Sequence, residues 1–340
     1  MSAPTPDHIM RVASGYGLAR ILLSTVGMGL YTRLAQSPMT LQEIVEEFGL
    51  QERPAMDMLD LLVSSDLLDR ASDGVGAHYR NTEATAAFLD RTKPSYVGGI
   101  LELWDQRNYA FWSDIMVAIR TGQPVNESRH SGKPFFETLY AEPERLEAFM
   151  EAMNGSSIRN FQAFARHFPF ADHQTHTDIG GADALLSRSV AAAHPHLRCK
   201  SFDLPEVTRI AERKITAAGL EDRIEAVEGD FFTDPFPPAD VITMGMILHD
   251  WNLDRKLQLL RKAYEALPDG GAFVAIEALI DDARRENTFG LFMSLTMAME
   301  FGDAFDFSFA EFKSWCAEVG FRRFDLIPLE GPSSAAIAYK

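Results

Sequence analysis

The chain has 340 residues, 46% of them hydrophobic and 24% charged, and its formal net charge at pH 7 is −17. At about 100 to 200 residues per domain this length predicts two domains with a sizeable core, and the mean hydropathy of −0.11 argues against a membrane-spanning helix. The excess of 49 acidic over 32 basic residues opposes binding to nucleic acid or to a membrane surface, so neither is an expected partner.

The N-terminal residues Met1 to Asp7 contain neither a basic nor an apolar segment, so no signal peptide is expected. The two cysteines, Cys199 and Cys316, are too few for a disulfide framework or a four-thiolate metal site. The expected location is therefore the reducing cytoplasm.

The N-terminal half has helical periodicity. Thr40 followed by Glu43 is a capping box, which predicts a helix beginning near Leu41. A second helix is predicted after residues 51–54, and a hairpin with glycines in its turn (Asp73 to Gly76) is predicted to follow it. Two helices and a hairpin are the layout of a winged helix.

A winged helix is often a DNA-binding module, but the helix that would read DNA has the wrong charge. It offers one basic residue, Arg53, against the acids Glu52, Asp57 and Asp60. We therefore expect dimerisation or scaffolding here in preference to DNA binding.

The middle of the chain is rich in aromatic residues, most of which predict an ordinary helical core. The segment from Gly132 to Phe136 interrupts the helical pattern and presents an aromatic pair that is suited to a ligand. We predict three regions: a winged-helix-like dimerisation domain over 1–95, a helical linker or substrate lid over 96–170, and a catalytic α/β domain over 171–340.

From about residue 175, short apolar strands alternate with helices, which is typical of a parallel sheet. The first three strands are each followed by an acid, and the first also by a Gly-Gly turn. Each acid alone could be a helix cap, but three at one sheet edge predict a nucleoside site, and their charge favours a sulfonium nucleoside over a dinucleotide. The candidate cofactor-binding residues are Asp178, Gly180, Gly181, Asp203, Leu204, Asp230 and Phe231.

The fourth and fifth strands lead to His249 and Glu277. An imidazole at a strand end can take a proton from a hydroxyl near neutral pH, and a carboxylate on its far side would fix the tautomer. The alternative is a structural histidine beside a helix start.

Several segments together resemble a known family. They are the Gly180-Gly181 turn and the segments 202–207, 229–232, 248–251, 263–271 and 311–321. In this order they resemble the class I S-adenosylmethionine-dependent O-methyltransferases of the plant caffeate, acetylserotonin and bacterial hydroxyneurosporene type.

The resemblance implies a Rossmann-like α/β sheet with an N-terminal all-α winged-helix dimerisation domain, a homodimer, and S-adenosylmethionine as methyl donor. It implies that His249 is the general base, that Glu277 orients it, and that Asp306 is a second orienting acid. It also implies cofactor contacts from the Gly180 turn, from Asp203 to the ribose, and from Asp230 with Phe231 to the adenine.

The expected acceptor is a hydroxyl of a small aromatic or polyketide-like secondary metabolite. Methionines suit flat, irregular ligands, although such residues are often simple core. The candidate substrate-binding residues are Trp104, Phe136, Met153, Met246, Met293 and Met297, with Met244, Met299 and Phe301 as further candidates. No metal is expected, and His173, His176, His194 and His196 are predicted to lie on a solvated surface.

One departure from the family pattern leaves other functions open. The family's glycine turn usually carries two further glycines, where this chain has Ala182 and Ala184. Alanine at 182 is a mild change, but if the position of Ala184 needs positive φ, that alanine is strained. One alternative is an enzyme of this fold that has lost methyl transfer and performs hydroxylase, decarboxylase or pericyclase chemistry. Another is an acidic winged-helix regulator without nucleoside affinity.

Overall fold

The protein is described by a computed structural model over residues 4–74, 76–132 and 135–340. Val75 in the predicted hairpin turn, and Lys133 and Pro134 beside the predicted aromatic pair, lie outside the described residues. The chain divides into two compact units, Met1–Ala110 with Glu151–Ser156, and Phe111–Met150 with Ser157–Lys340. The domain boundaries at residues 95 and 170 stay predictions.

The first unit contains most of the N-terminal helices and a small sheet. Its elements are α1 (Asp7–Gly27), α2 (Leu30–Gln36), β1 (Met39–Thr40), α3 (Leu41–Phe48), α4 (Glu52–Ser64), β2 (Leu68–Arg70), β3 (His78–Asn81), α5 (Glu83–Phe88), α6 (Gly98–Leu103) and a π-helical turn (Trp104–Asn108). The strands pair antiparallel in the order β1-β3-β2. The predicted helix, helix and hairpin are therefore present, and Thr40 and Glu43 form the predicted capping box.

Helices of the second unit precede its sheet. They are α7 (Tyr109–Phe111, which begins in the first unit), a 3₁₀ turn (Trp112–Asp114), α8 (Ile115–Thr121), α9 (Ser128–Ser131), α10 (Phe135–Tyr140), α11 (Pro143–His167) and a second 3₁₀ turn (Phe170–Asp172). The middle of α11, Glu151–Ser156, belongs to the first unit.

Strands and helices then alternate, as the sequence pattern predicts. The elements are β4 (Thr175–Ile179), α12 (Leu185–Ala193), β5 (Arg198–Asp203), α13 (Pro205–Ala217), β6 (Ile224–Glu228), β7 (Val241–Gly245), a 3₁₀ turn (Leu248–Asp250), α14 (Leu253–Ala266), β8 (Ala272–Glu277), α15 (Thr288–Phe301), α16 (Phe309–Val319), β9 (Arg323–Pro328) and β10 (Ser334–Tyr339).

These strands form one seven-stranded sheet in the order β6-β5-β4-β7-β8-β10-β9. The first five in this order are parallel, while β10 pairs antiparallel with β8 and β9. The chain order reverses between β4 and β7, and ligands of open α/β sheets bind at such a point, beyond the carboxyl ends of the strands.

The sheet is covered on both faces. Along β8, Phe273 and Ala275 enter one apolar cluster, whereas Val274 and Ile276 enter the other. A strand buried on both faces reads as a continuous apolar run, which explains the sequence of β8. It also makes the buried carboxyl group of Glu277, which ends this strand, an exception that needs a reason.

None of the helices in the described ranges has the length and apolar character needed to cross a membrane. Cys199 and Cys316 are both buried free thiols.

Candidate active site

The Gly180-Gly181 turn connects β4 to α12 and lies against β5. The amides of Gly180 and Gly181 both donate to the carbonyl oxygen of Phe202, at 2.9 and 3.3 Å. A Cβ on Gly181 would overlap the Ser201 hydroxyl, so only glycine permits this close approach. The turn therefore stays at the carboxyl edge of the sheet.

Both alanines that depart from the family pattern adopt the left-handed conformation. The φ angles are +49° at Ala182 and +66° at Ala184, beside +69° at Gly180. Ala184 is fully buried and stands at the N-cap of α12. The positive φ considered for Ala184 from the sequence is therefore present, and Ala182 adopts it as well. Both alanines hold a backbone that glycine would adopt without strain.

Asp203 ends β5 and faces the same turn. Its Oδ2 accepts the Ala182 amide at 2.9 Å and its Oδ1 accepts the Leu204 amide at 2.8 Å. A carboxylate has about four acceptor positions, so two are left for hydroxyl groups of a ligand. Burial raises the pKa of Asp203 to about 6, against the lowering effect of these two amide bonds.

Asp178 is connected to a buried hydrogen-bond chain that the sequence did not predict. The Thr243 hydroxyl donates to Asp178 Oδ1 at 2.6 Å, so the Nε2–H of His176 donates to the Thr243 oxygen at 2.9 Å. The prediction of a solvated surface is thus wrong for His176, which is fully buried because its strand lies inside the sheet. Burial raises the pKa of Asp178 to about 7.

Asp230 and Phe231 follow β6 at the next strand end. Asp230 Oδ1 accepts the Phe232 amide at 2.8 Å, which shapes the loop. The half-buried Phe231 ring packs edge-to-face on Phe232 and on Trp251, with ring centroids 4.8 and 5.9 Å apart. A partly exposed aromatic ring beside an acid is suited to a flat, polar base.

His249 lies in the 3₁₀ turn after β7, where two acids face one ring nitrogen. Its Nδ1 is 3.3 Å from Asp306 Oδ1 and 3.7 Å from Glu277 Oε2. The other carboxyl oxygen of Glu277 accepts the Leu248 amide at 3.1 Å, which fixes Glu277 beside the turn. Nε2 is 3.4 Å from Asp250 Oδ1. All three of the predicted His249, Glu277 and Asp306 are buried and adjacent.

These carboxyl groups hold a proton on the imidazole. Burial lowers the pKa of His249, but the charges of Glu277, Asp306 and Asp250 outweigh it and raise this pKa to about 10. Burial raises the pKa of Glu277 to about 7 and that of Asp250 to about 6, and His249 opposes both shifts. The cluster titrates as a unit, with His249 protonated first.

The same three side chains have the ligand types of a divalent cation site. One ligand atom from each lies within 4.8 Å of the others. His249 Nδ1, Glu277 Oε2 and both carboxyl oxygens of Asp306 are buried without a hydrogen-bond partner. An imidazolium facing two carboxylates accounts for these atoms equally well, and the expectation of no metal stays a prediction.

Four of the six candidate substrate residues lie in the second unit. Phe136 stacks on Phe301, with ring centroids 5.5 Å apart. Met293 and Met297 are on α15, which lies against the His249 turn. Met246 adopts φ of +58°, and its amide donates to the Ile276 carbonyl. Such outliers concentrate at functional sites.

The other candidates fall elsewhere. Trp104 and Met153 belong to the first unit, on the π-helical turn and on α11, and their contact with a substrate stays a prediction. Met244 and Met299 have no exposed surface, so they fill core space.

Three residues of this region were not identified from the sequence. They are Thr243, which donates to Asp178, Asp250, whose carboxyl group faces His249 Nε2, and the buried Lys256. Thr243 sits one residue before Met244 in an apolar strand, where a lone hydroxyl is a weak signal. Asp250 adjoins His249 in sequence and could have been found from that alone. One carbonyl partner of Lys256 belongs to Trp251 nearby in sequence, but the other belongs to Phe305 in a distant segment, so no local pattern identifies the buried lysine.

Comparison with known proteins places this geometry in a family. A family model for an O-methyltransferase domain matches residues 112–322, and one for an O-methyltransferase dimerisation domain matches residues 10–91. The tetracenomycin polyketide synthesis 8-O-methyl transferase TcmO of Streptomyces glaucescens is 34% identical over 335 residues, covering 98% of this chain and 97% of that protein. The N,N-dimethyltransferase OxyT of Streptomyces rimosus is 32% identical, covering 92% of this chain and 90% of its own.

A solved structure gives the same result. The crystal structure of human N-acetylserotonin methyltransferase in complex with S-adenosylmethionine superposes with a TM-score of 0.90 at 25% identity, covering 100% of this chain and 99% of that one. The predicted fold, a Rossmann-like methyltransferase sheet with an N-terminal dimerisation domain, is confirmed. The chain therefore belongs to the S-adenosylmethionine-dependent O-methyltransferase family.

Proposed function

We propose that the protein methylates a hydroxyl group of a small aromatic or polyketide-like metabolite, with His249 as general base. The observation that carries this proposal is the 3.3 Å separation between His249 Nδ1 and Asp306 Oδ1. The name of TcmO supports a polyketide-like acceptor, because that relative spans nearly the whole chain. The name of OxyT marks nitrogen as the acceptor atom to be tested beside oxygen.

The residues at the sheet edge fit the adenosyl sulfonium cofactor. Asp178, Asp203 and Asp230 lie at or just after the carboxyl ends of adjacent strands and provide negative charge and hydroxyl acceptors. The turn at Ala182 and Ala184 keeps the backbone that glycines would give. We propose that Asp203 with Leu204 receives the ribose, that Asp230 and Phe231 receive the adenine, and that the Gly180-Gly181 turn with Asp178 receives the amino-acid portion.

The bound cofactor supplies an electrophilic methyl group. The chain's own task is to hold the acceptor oxygen in place and to take its proton. Neutral His249 accepts that proton at Nε2, which Asp250 faces, while Nδ1–H donates toward Asp306 and Glu277. The carboxylates stabilise the imidazolium that forms, as in other histidine bases. A dry site strengthens each of these interactions.

This mechanism predicts a rate that rises with pH. The base acts only as neutral imidazole, and its neighbours raise the pKa of His249 to about 10, so each unit of pH below that value removes most of the active form. We expect kcat/KM toward a panel of phenols and naphthols to rise about tenfold per unit between pH 6 and 9. The rate is measured as transfer of a labelled methyl group from S-adenosylmethionine. EDTA is present so that no divalent cation occupies the site of His249, Glu277 and Asp306.

The variant His249→Gln is the control for ionisation of the acceptor itself. It should lose at least about a hundredfold in kcat and retain only the pH dependence of the free phenol. A wild-type rate that is flat across this range would contradict the base assignment. If the protein binds S-adenosylhomocysteine but no product carries the label, the result would favour the alternative, an enzyme of this fold that has lost methyl transfer.

We propose further that the protein is a homodimer formed through the first unit. The match to the dimerisation family covers residues 10–91. On α1, Ile9, Val12 and Tyr16 are 68%, 67% and 72% exposed. These positions follow the i, i+3, i+7 spacing of one helix face, which is the pattern of a surface that another chain covers.

A further inference from the structure

Lys256, on the first turn of α14, is a lysine without exposed surface. Its Nζ donates to the Trp251 carbonyl and, at 2.8 Å, to the Phe305 carbonyl. The ammonium also lies 3.5 Å from the centroid of the Phe305 ring. Burying an unpaired ammonium costs several kcal/mol, so a lysine kept in this position calls for a reason beyond packing.

The two carbonyl groups belong to the segments that carry the proposed catalytic groups. Trp251 follows the turn of His249 and Asp250, and Phe305 directly precedes Asp306. One ammonium therefore connects the two segments whose side chains meet at His249 Nδ1 and Asp306 Oδ1. Phe305 itself lies in the loop between α15 and α16.

Lys256 also supplies positive charge next to the acids. Burial lowers its pKa to about 8, while Glu277, Asp306, Asp250 and Glu311 act against that shift. In return, the lysine lowers the pKa values of Asp250 and Glu277. At pH 7, where Lys256 is charged, removing this charge would leave His249 as the single cation among the carboxylates named here and would make its proton harder to release. Above about pH 8 the lysine is neutral, and its removal has little effect on that proton.

We propose that Lys256 is a positioning residue that holds the His249 and Asp306 segments together and weakens the cluster's hold on its proton. The inference rests on the proposed role of His249 as base. No neutral side chain of this length could do both tasks, because the first needs N–H donors and the second needs charge.

The test compares Lys256→Met, which removes charge and donors, with Lys256→Gln, which removes the charge but keeps N–H donors. In both variants we expect about a tenfold loss of kcat at pH 7, where Lys256 is charged, and a smaller loss above its pKa of about 8, where it is neutral. The methionine variant should lose further activity at the high-pH plateau, because the segments are no longer tied. The glutamine variant keeps the test valid if the methionine variant does not fold.

Lys340→Met is the matched control. Lys340 also donates to two carbonyl groups, those of Tyr264 and Leu267 at 2.6 and 2.7 Å, and lies over the Tyr264 ring. Its loss should lower the melting temperature without moving the pH profile. Unshifted profiles in both Lys256 variants would overturn the proposal.

A second readout does not depend on methyl transfer. In protein with labelled histidine rings, the His249 signal, identified by its loss in His249→Gln, reports the imidazole proton directly by NMR. The step in this signal that follows ionisation of Asp250 and Glu277, near pH 6 to 7 where Lys256 is charged, should move upward in both Lys256 variants and stay fixed in Lys340→Met. A shift in an inactive enzyme would support the charge effect while the proposed function fails, and an unchanged titration in an active enzyme would overturn the charge effect alone.

Discussion

The buried carboxyl group of Asp178 is costly in the protein without its ligands. Its pKa is raised to about 7 by burial, above the ordinary 3.8. A carboxyl whose pKa is raised on folding favours the folded state below the unfolded pKa, and this contribution is lost as the pH rises through the folded pKa. At pH 8 the folded protein therefore carries a desolvated charge that destabilises it.

Asp178→Asn should remove this cost. The asparagine carbonyl can still accept the Thr243 hydroxyl, so the buried chain to His176 remains. We expect the variant to be more stable than the wild type by about 2 kcal/mol at pH 8, with the difference vanishing toward pH 4. Urea unfolding at several pH values measures it.

Asp240→Asn is the comparison variant, and its expected effect on the free energy of unfolding has the opposite sign. Burial favours the neutral form of Asp240, but amide donors from Gln174 and Thr175 outweigh it and lower the pKa of this carboxyl. Its substitution should therefore destabilise at neutral pH and matter less in acid. Destabilisation by Asp178→Asn at pH 8 would show that its charge is compensated in the folded protein.

Ala184 is the residue where strain and packing oppose each other. Glycine would relieve about 1 kcal/mol of left-handed strain but would lose a buried methyl group worth about 0.8 kcal/mol and gain freedom in the unfolded chain. We expect Ala184→Gly to change the free energy of unfolding by less than about 1 kcal/mol. Ala184→Val should cost more than about 2 kcal/mol, because a β-branched residue at φ of +66° is both strained and too large. Equal stability of the two variants would contradict the conformation of this turn.

At the scale of elements, the start of α16 holds the Asp306 loop. Ser308 caps this helix: its hydroxyl accepts the Glu311 amide at 3.2 Å, and Glu311 accepts the Ser308 amide at 2.8 Å. Ser308 also pairs with Ile280, beyond the end of β8. The cap therefore fixes the backbone two residues after Asp306.

We expect Ser308→Ala to cost about 1 kcal/mol in stability and to lower kcat as well. Thr40→Ala is the matched variant, since Thr40 forms the same capping box at α3 in the first unit. It should cost about the same stability and leave kcat unchanged. Unfolding curves and methyl-transfer rates of the two variants decide this, and equal kcat values would remove the link between the cap and Asp306.

The elements that the sequence predicted best are those whose ends are marked by a glycine or an acidic residue. Each of the strands β4 to β8 ends at, or directly before, a glycine or an acid, so the sites of Asp203 and Glu277 were visible. Strands β9 and β10 form the antiparallel edge of the sheet and were not predicted. Asp306 rested on the family resemblance, because nothing local connects it to His249.

The sequence also did not predict which polar residues are buried or which distant segments come into contact. His176 looked solvated because its neighbours in sequence are polar, yet the sheet order places β4 between β5 and β7. No sequence pattern distinguished Lys256 from the other cations of α14. Its buried contacts depend on a loop that only the folded chain brings near.

At the scale of the whole molecule, the net charge of −17 opposes self-association, so a homodimer needs a sizeable apolar contact. The exposed face of α1 offers one in Ile9, Val12 and Tyr16. Burying such side chains contributes about 1 to 2 kcal/mol each. Together they would contribute a large share of the association energy of a stable dimer.

The protein should therefore have twice the chain mass of 37.9 kDa in light scattering after size exclusion. Replacing Ile9, Val12 and Tyr16 together by serine should weaken the dimer by at least about a hundredfold, since about 3 to 6 kcal/mol of burial is lost. Met116 and Ile119 on α8 are 50% and 54% exposed, and the same replacement there should leave the dimer intact. Because the α1 residues are already exposed in the single chain, their loss should not unfold it. A triple variant that dissociates no more readily than the wild type would place the interface on another surface of the first unit.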